Sequence, residues 1–287
     1  MLLLLLVSLL IWGLAILSGN LLTQRSDNGN PDTLFDTFWI GLAGMSVYFS
    51  YWSLWAATQP TALLGFCALL GVGYALRKVG FSGILAAFRG WRTHIWVFLG
   101  LLGLFSVKAA APIASYDSGL YHIQAIKWIE SYAVVPGLAN LHDRFGFNPI
   151  FFNLCAGFSF REWIGQPIFP LNALIFTVFS AWVFSKIRAI SHLSDLFFWG
   201  LVGYFMSSYL FVLISSPSTD ILAALLSFYI LFRAWEVKKW AIYELFVFSI
   251  LIGFAIMVKL STAPLILILF LGGFGRAKIQ NIGFLRG

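Results

Sequence analysis

Nine stretches of mainly apolar residues recur along the chain, at 2–19, 37–58, 60–76, 95–113, 169–187, 196–214, 220–237, 241–258 and 262–275. Most of them approach the roughly 20 apolar residues that a helix needs to cross the hydrocarbon of a bilayer. The chain is 60% hydrophobic and 10% charged, whereas soluble domains carry about 25% charged residues. A soluble core of 287 residues cannot hide this much apolar surface, so the expected main solvent is lipid. The fold class expected is therefore all-α, a polytopic transmembrane helical bundle of about nine spans. Met1 to Gly19 resembles a signal peptide, yet it has no basic start and no small-residue cleavage site, so it reads as the first span. Gln59-Pro60 makes the second and third spans a helical hairpin, and the short last segment reads as re-entrant or as a helix cut off. Cys67 and Cys155 provide no metal or disulfide framework.

Orientation follows from where lysine and arginine fall. Alternation from a cytoplasmic 77–94 connection collects Arg25, Arg77, Lys78, Arg89, Arg92, Lys186, Arg188, Arg233, Lys238, Lys239, Arg276, Lys278 and Arg286 on one side. Lys108, Lys127, Arg144, Arg161 and Lys259 remain on the other, where they meet five acids: Asp117, Glu130, Asp143, Glu162 and Asp220. The whole net charge of +7 then lies on the inner face. Topology accounts for the excess, and no nucleic-acid partner is implied. The organisation expected is 1–94, N-terminal spans with a basic cytoplasmic loop, followed by 95–287, a transmembrane core with an outer loop at 114–168.

That outer loop is the one long extramembrane region. At about 100° per residue, Tyr121, Ala125, Trp128, Ile129 and Tyr132 share a helix face, and Gln124, Lys127 and Ser131 lie opposite. This predicts an interfacial helix over 119–132, with packing on the bundle as the alternative. Val134-Val135-Pro136-Gly137 breaks it, and 138–149 reads as an ordered polar and aromatic loop. Asn148-Pro149 then opens a second interfacial helix over 149–164, with Asn148 as its N-cap.

Chemistry-bearing residues collect on this outer side. In Tyr116-Asp117-Ser118-Gly119-Leu120-Tyr121-His122, Asp117 is either a helix N-cap or a general base for an acceptor hydroxyl. Ser118 could cap instead, leaving Asp117 free. His122 is an orienting partner for Asp117, a phosphate ligand, a proton carrier or a satisfied interfacial residue. Ser215-Ser216-Pro217-Ser218-Thr219-Asp220 either caps the next helix or uses its N–H groups and hydroxyls on a ligand, with Asp220 as a hydroxyl acceptor or cation ligand. Lys259 is a snorkelling lysine or, beside Ser261 and Thr262, a ligand for a lipid-linked phosphate. Arg144 is the second phosphate candidate, because its fork suits phosphate. Arg233 reads as snorkelling to the inner interface. Tyr121 suits an interfacial aromatic belt and, with Asn148 and Ser261, completes the candidate substrate-binding set.

The sequence has no Walker loop, dinucleotide fingerprint, metal-ligand cluster or H-E-x-x-H. An activated donor is therefore expected from outside or within the bilayer. On these residues the chain resembles the GT-C-type membrane glycosyltransferases. The resemblance covers roughly 95–275: Asp117 at the start of the outer loop, the two loop helices, Lys259 at an outer span end, and the Gly-Leu-Ala-Asn-Leu-His-Asp-Arg-Phe-Gly-Phe-Asn stretch at 137–148. It implies a polyprenyl-phosphate sugar donor, a glycan, lipid or protein acceptor, an inverting transfer, and an acidic residue acting as base or positioning the acceptor. It places the protein in a bacterial inner membrane with the site facing the periplasm. Three spans precede the one leading to the loop, where many relatives have none. The chain also has no Asp-Glu or Asp-x-Asp pair at the loop, so no cofactor is implied and no divalent metal is indicated. Only about five spans follow the loop, which implies a reduced or truncated member. The alternatives from other classes are a transporter or flippase for a lipid-linked glycan, and a non-catalytic assembly subunit.

Overall fold

The structure, a computed structural model, describes residues 1–23, 31–77, 92–113, 115–188, 193–237 and 240–272. Arg25, Lys78, Arg89, Lys238, Lys239, Arg276, Lys278 and Arg286, and with them most of the basic inner side, lie outside the described residues. The described chain is all-helical. Helices form in all nine apolar segments, but two of them, Leu2–Thr23 (α1) and Pro60–Arg77 (α3), have the length and apolarity to cross a membrane. The helices Ile95–Ala109, Leu171–Ile187, Ile242–Val258 and Leu260–Gly272 are apolar but shorter. The outward side of α3 is a run of exposed Leu64, Leu69, Val72 and Leu76, an apolar face that water would not favour.

Helix α2 (Pro31–Ser53) lies along α1. The approach is close because two glycines face it. A Cβ on Gly19 would collide with the Thr37 carbonyl, and one on Gly41 with the Ala15 carbonyl. Small residues at such a crossing let two backbones touch, the means by which apolar helices associate where no hydrophobic drive separates them from lipid. Helix α4 (Arg92–Ala109) packs on α1 and on α8 (Leu171–Arg188), so packing continues across the boundary expected at residue 94. Helix α9 (Leu193–Tyr209) ends in a 3-10 turn, Leu210–Ser215, ahead of α10 (Thr219–Glu236) and α11 (Ile242–Val258).

Inside the bundle, Asp36 of α2 is 2% exposed. It accepts hydrogen bonds from Tyr229 Oη (2.7 Å) and from Arg233 Nη2 (2.8 Å) and Nε (3.3 Å) of α10. Arg233 therefore does not snorkel, as its sequence position predicted. It turns inward because a buried carboxylate without a partner would be costly.

The long polar loop, described over 115–168, departs from its predicted layout in three places. Backbone from 116 to 131 is continuous helix, but Ser118–His122 forms a π turn before α5 (Ile123–Ser131). The wider turn and the inward pull on Glu130 change the phase. The buried edge runs through Ser118, His122, Ile126 and Glu130, while Tyr132 is exposed. Glu130 is drawn in by an ion pair with Arg161. The second helix is not continuous over 149–164. It is α6 (Ile150–Gly157), a break at Phe158 to Phe160, and a single turn, α7 (Arg161–Ile164). All eight residues of α6 are buried, because Ile-Phe-Phe-Asn-Leu-Cys-Ala-Gly offers no polar face. It is a core helix under α5, not an interfacial one. Finally, Pro149 occupies the N-cap of α6, and Asn148 adopts a left-handed conformation (φ 38°) at the end of a 3-10 turn, Asp143–Phe147. The backbone N–H groups of Thr58 and Val134 donate to Ile129 and Ser53 carbonyls (2.8 Å each), docking the loop on the α2–α3 hairpin.

Candidate active site

The π turn opens the site. Asp117 precedes it with helical backbone angles and no side-chain capping bond, so its carboxylate does not serve as a cap. It forms an ion pair with Arg144 instead, reached from the 3-10 turn at Asp143–Phe147. The Arg144 guanidinium also lies over the Tyr121 ring, 5.3 Å from its centroid, a favourable cation–aromatic geometry. Four residues predicted separately, or from opposite ends of the loop, thus meet: Asp117, Arg144, Tyr121 and His122.

His122 is 3% exposed. Its Nδ1 lies 3.1 Å from Ser118 Oγ, which in turn hydrogen-bonds Ser216 Oγ. Its ring packs edge-on against Tyr121 (4.3 Å) and tilted against Phe152 (5.3 Å). Burial pushes its pKa down to about 4, so the ring is neutral near pH 7. Burial also raises the Tyr121 phenol, helped by the charge of Asp117. The imidazole is neutral and enclosed, and the hydrogen bond it makes is to Ser118 rather than to Asp117. Arg144 holds Asp117, and His122 anchors a serine pair beneath it.

That pair joins the loop helix to the start of α10. Asn172 Nδ2 of α8 donates to the Ser216 carbonyl (2.6 Å) and the Ser218 carbonyl (2.9 Å), and Ser218 Oγ caps α10 by accepting from Asp220 N–H (3.2 Å). Capping by Ser218 leaves the Asp220 carboxylate for an ion pair with Lys259. Lys259 sits where α11 ends, in extended backbone (φ −154°, ψ 119°) before a 3-10 turn, Leu260–Ile266. Both charge pairs act on the His122 proton: Asp117 and Asp220 favour it, and Arg144 and Lys259 oppose it. Two neutralised pairs therefore flank one neutral histidine.

A groove of about 690 Å³ starts at the second pair. Asp220, Lys259, Ser261 and Thr262 form its polar end, and Ala223, Ala224, Ser227 and Leu231 continue along one face of α10 opposite Leu267, Ile268 and Leu271. From Asp220 to Leu231 the stripe is about 16 Å long at a helical rise of 1.5 Å per residue. Asn148 is not part of this cluster. It lines other cavities, with Asn153. Sequence reasoning passed over Asn172, and it read Ser118 and Ser216 as capping or ligand-binding hydroxyls rather than as partners of each other. The available signal was the asparagine at the head of an apolar segment, which must find hydrogen-bond partners when buried. Among the described residues, no three or more His, Cys, Asp and Glu side chains form a group able to hold a metal ion.

Residues 1–284 match the family model described as a domain of unknown function (DUF8201). The chain belongs to this family. Searches of the curated proteins and of the solved structures find no match.

Proposed function

We propose that this protein is an integral membrane glycosyltransferase of GT-C type that moves a sugar from a polyprenyl-phosphate donor to a cell-envelope acceptor on the outer face of a bacterial inner membrane. The observation that carries the reading is the groove that begins at Lys259 and Asp220 and continues as an apolar stripe along α10. Such a groove suits a ligand with a charged head and a long hydrocarbon tail. The apolar outer side of α3 and the nine apolar segments support a bundle of about nine spans with lipid around it.

In this reading the donor phosphate enters beside Lys259 and displaces Asp220 from it, exchanging one carboxylate partner for another anion. Ser261 and Thr262 add hydroxyl groups at the same end. Asp117, held in place by Arg144, accepts the proton of the acceptor hydroxyl. The freed oxygen attacks the anomeric carbon as the bond from that carbon to the phosphate oxygen breaks. The electron pair leaves with the lipid phosphate, whose charge Lys259 balances. Positioning and a base are then the main demands on the protein. His122 is a positioning residue, acting through Ser118 and Ser216.

The test is transfer by purified protein, reconstituted in lipid, supplied with radiolabelled polyprenyl-phosphate sugars and membrane extract. Label is expected in a new glycosidic linkage, and Asp117→Asn is expected to abolish it with expression and insertion unchanged. Full activity in that variant would defeat the assignment, and relocation of label without new linkage would indicate a transporter.

A further inference from the structure

Asn153 is an unusual residue to find in the middle of α6. It is 5% exposed, on a helix buried along its whole length. Its amide makes no hydrogen bond to the described residues and opens into two cavities, of about 250 and 440 Å³. An amide that faces a cavity needs partners from whatever fills it. Ser50 Oγ, in the larger cavity's lining, is itself buried and unpartnered. Asn148, whose left-handed backbone puts it at the end of the loop, lines both cavities as well. On the outer side the smaller cavity is walled by Trp128 and Tyr132, whose rings lie 5.3 Å apart at 39°.

No charged side chain lines either cavity. An anion or a cation would therefore be desolvated without a counter-charge. A hydrocarbon chain would leave Asn153 and Ser50 unsatisfied. Water can satisfy these groups, and the ligand that fits in its place is neutral, with several hydroxyls on one side and C–H surface on the other. Amide groups both donate and accept, as adjacent hydroxyls require, and aromatic rings present an apolar surface to the C–H side.

We propose that the cavities around Asn148 and Asn153 form a binding subsite for a neutral sugar ring. Its location makes it an acceptor-side subsite, which rests on the transferase reading above. One short loop separates the two places. Arg144, which holds Asp117, is four positions before Asn148. Phe147 between them packs against Tyr121 (6.4 Å), and Phe152, the neighbour of Asn153, packs against His122. A glycan seated on Asn153 would thus approach Asp117 from the α6 side, through residues that do not line the groove at Lys259.

The experiment measures binding without turnover. The purified full chain in detergent is titrated with methyl glucopyranoside, methyl mannopyranoside, methyl galactopyranoside and maltotriose, and with methyl glucuronide as the anionic control, by calorimetry and saturation-transfer NMR. At least one neutral saccharide is expected to bind, and the glucuronide at least tenfold more weakly than methyl glucopyranoside. Asn153→Leu, Trp128→Ala and Asn148→Ala are each expected to weaken that saccharide about tenfold or more. The latter two alter partly or fully exposed side chains and keep the test valid if Asn153→Leu misfolds. Binding by none of the neutral saccharides, equal binding of the glucuronide, or unchanged affinity in Trp128→Ala and Asn148→Ala would overturn the subsite. Saccharide binding that these variants weaken, in a protein that never transfers sugar, would uphold the subsite and sink the transferase reading. Transfer without saccharide binding would do the reverse.

Discussion

Protonation of His122 should unfold the outer site. The ring is buried beside Ser118 and Phe152 with a pKa lowered to about 4, against 6.5 for a free side chain. Because the unfolded chain takes up this proton more readily than the folded one, stability falls as pH drops. The contribution is fully present above pH 6.5 and is lost progressively as pH falls toward and through about 4. A pKa moved from 6.5 to about 4 puts about 3 kcal/mol of stability at stake. The groups facing the ring work against one another, with Asp117 and Asp220 opposed by Arg144 and Lys259, so burial sets the sign. Denaturant or thermal unfolding in mild detergent, followed from neutral pH to about pH 4, gives the wild-type loss. His122→Gln keeps a hydrogen-bonding partner for Ser118 but does not titrate. The wild-type curve should fall more steeply than the variant's by about 3 kcal/mol over that window, the difference removing the titration of carboxylates common to both. Parallel curves, or a variant more sensitive to acid than the wild type, would refute the argument that burial keeps this ring neutral.

Two other perturbations probe the frame that carries the site. Gly41→Ala should cost about 1–3 kcal/mol in the same unfolding assay, because the new methyl meets the Ala15 carbonyl of α1, whereas Gly13→Ala, which has open space at its Cβ, should be neutral or slightly stabilising. Arg233→Met should cost about 3–5 kcal/mol by stranding the Asp36 carboxylate, and adding Asp36→Leu should recover most of that loss, which a double-mutant comparison would read directly.

Much of the helical layout was legible because apolar segments of span length announce themselves by composition alone. Each of the nine segments forms helix over most of its described length. The side that a helix turns inward was less legible. The π turn at Ser118–His122 and the pull of Arg161 on Glu130 set the buried edge of α5, and neither shows in a pattern read at a fixed angle per residue. Similarly, the run Ile150–Gly157 reads as a membrane-surface helix until its neighbours are known, since an apolar segment buries equally well in lipid or in protein.

The sequence by itself determined that Asp117, Arg144, Asp220 and Lys259 had to find company, because charges next to long apolar segments are too costly to leave alone. Which partner each would take was decided by the tertiary structure. Arg144 was read as a phosphate candidate and Lys259 as a snorkelling lysine or a phosphate ligand, and each closes on a carboxylate, Asp117 and Asp220. For His122 the sequence left open an orienting partner of Asp117, a phosphate ligand, a proton carrier or a satisfied residue, and in the fold it is neutral and bonded to Ser118. The physical reason is that pairing depends on distance between atoms, and residues 27 or 39 positions apart acquire a distance when the chain folds. Composition dictates the demand for partners, and packing supplies them.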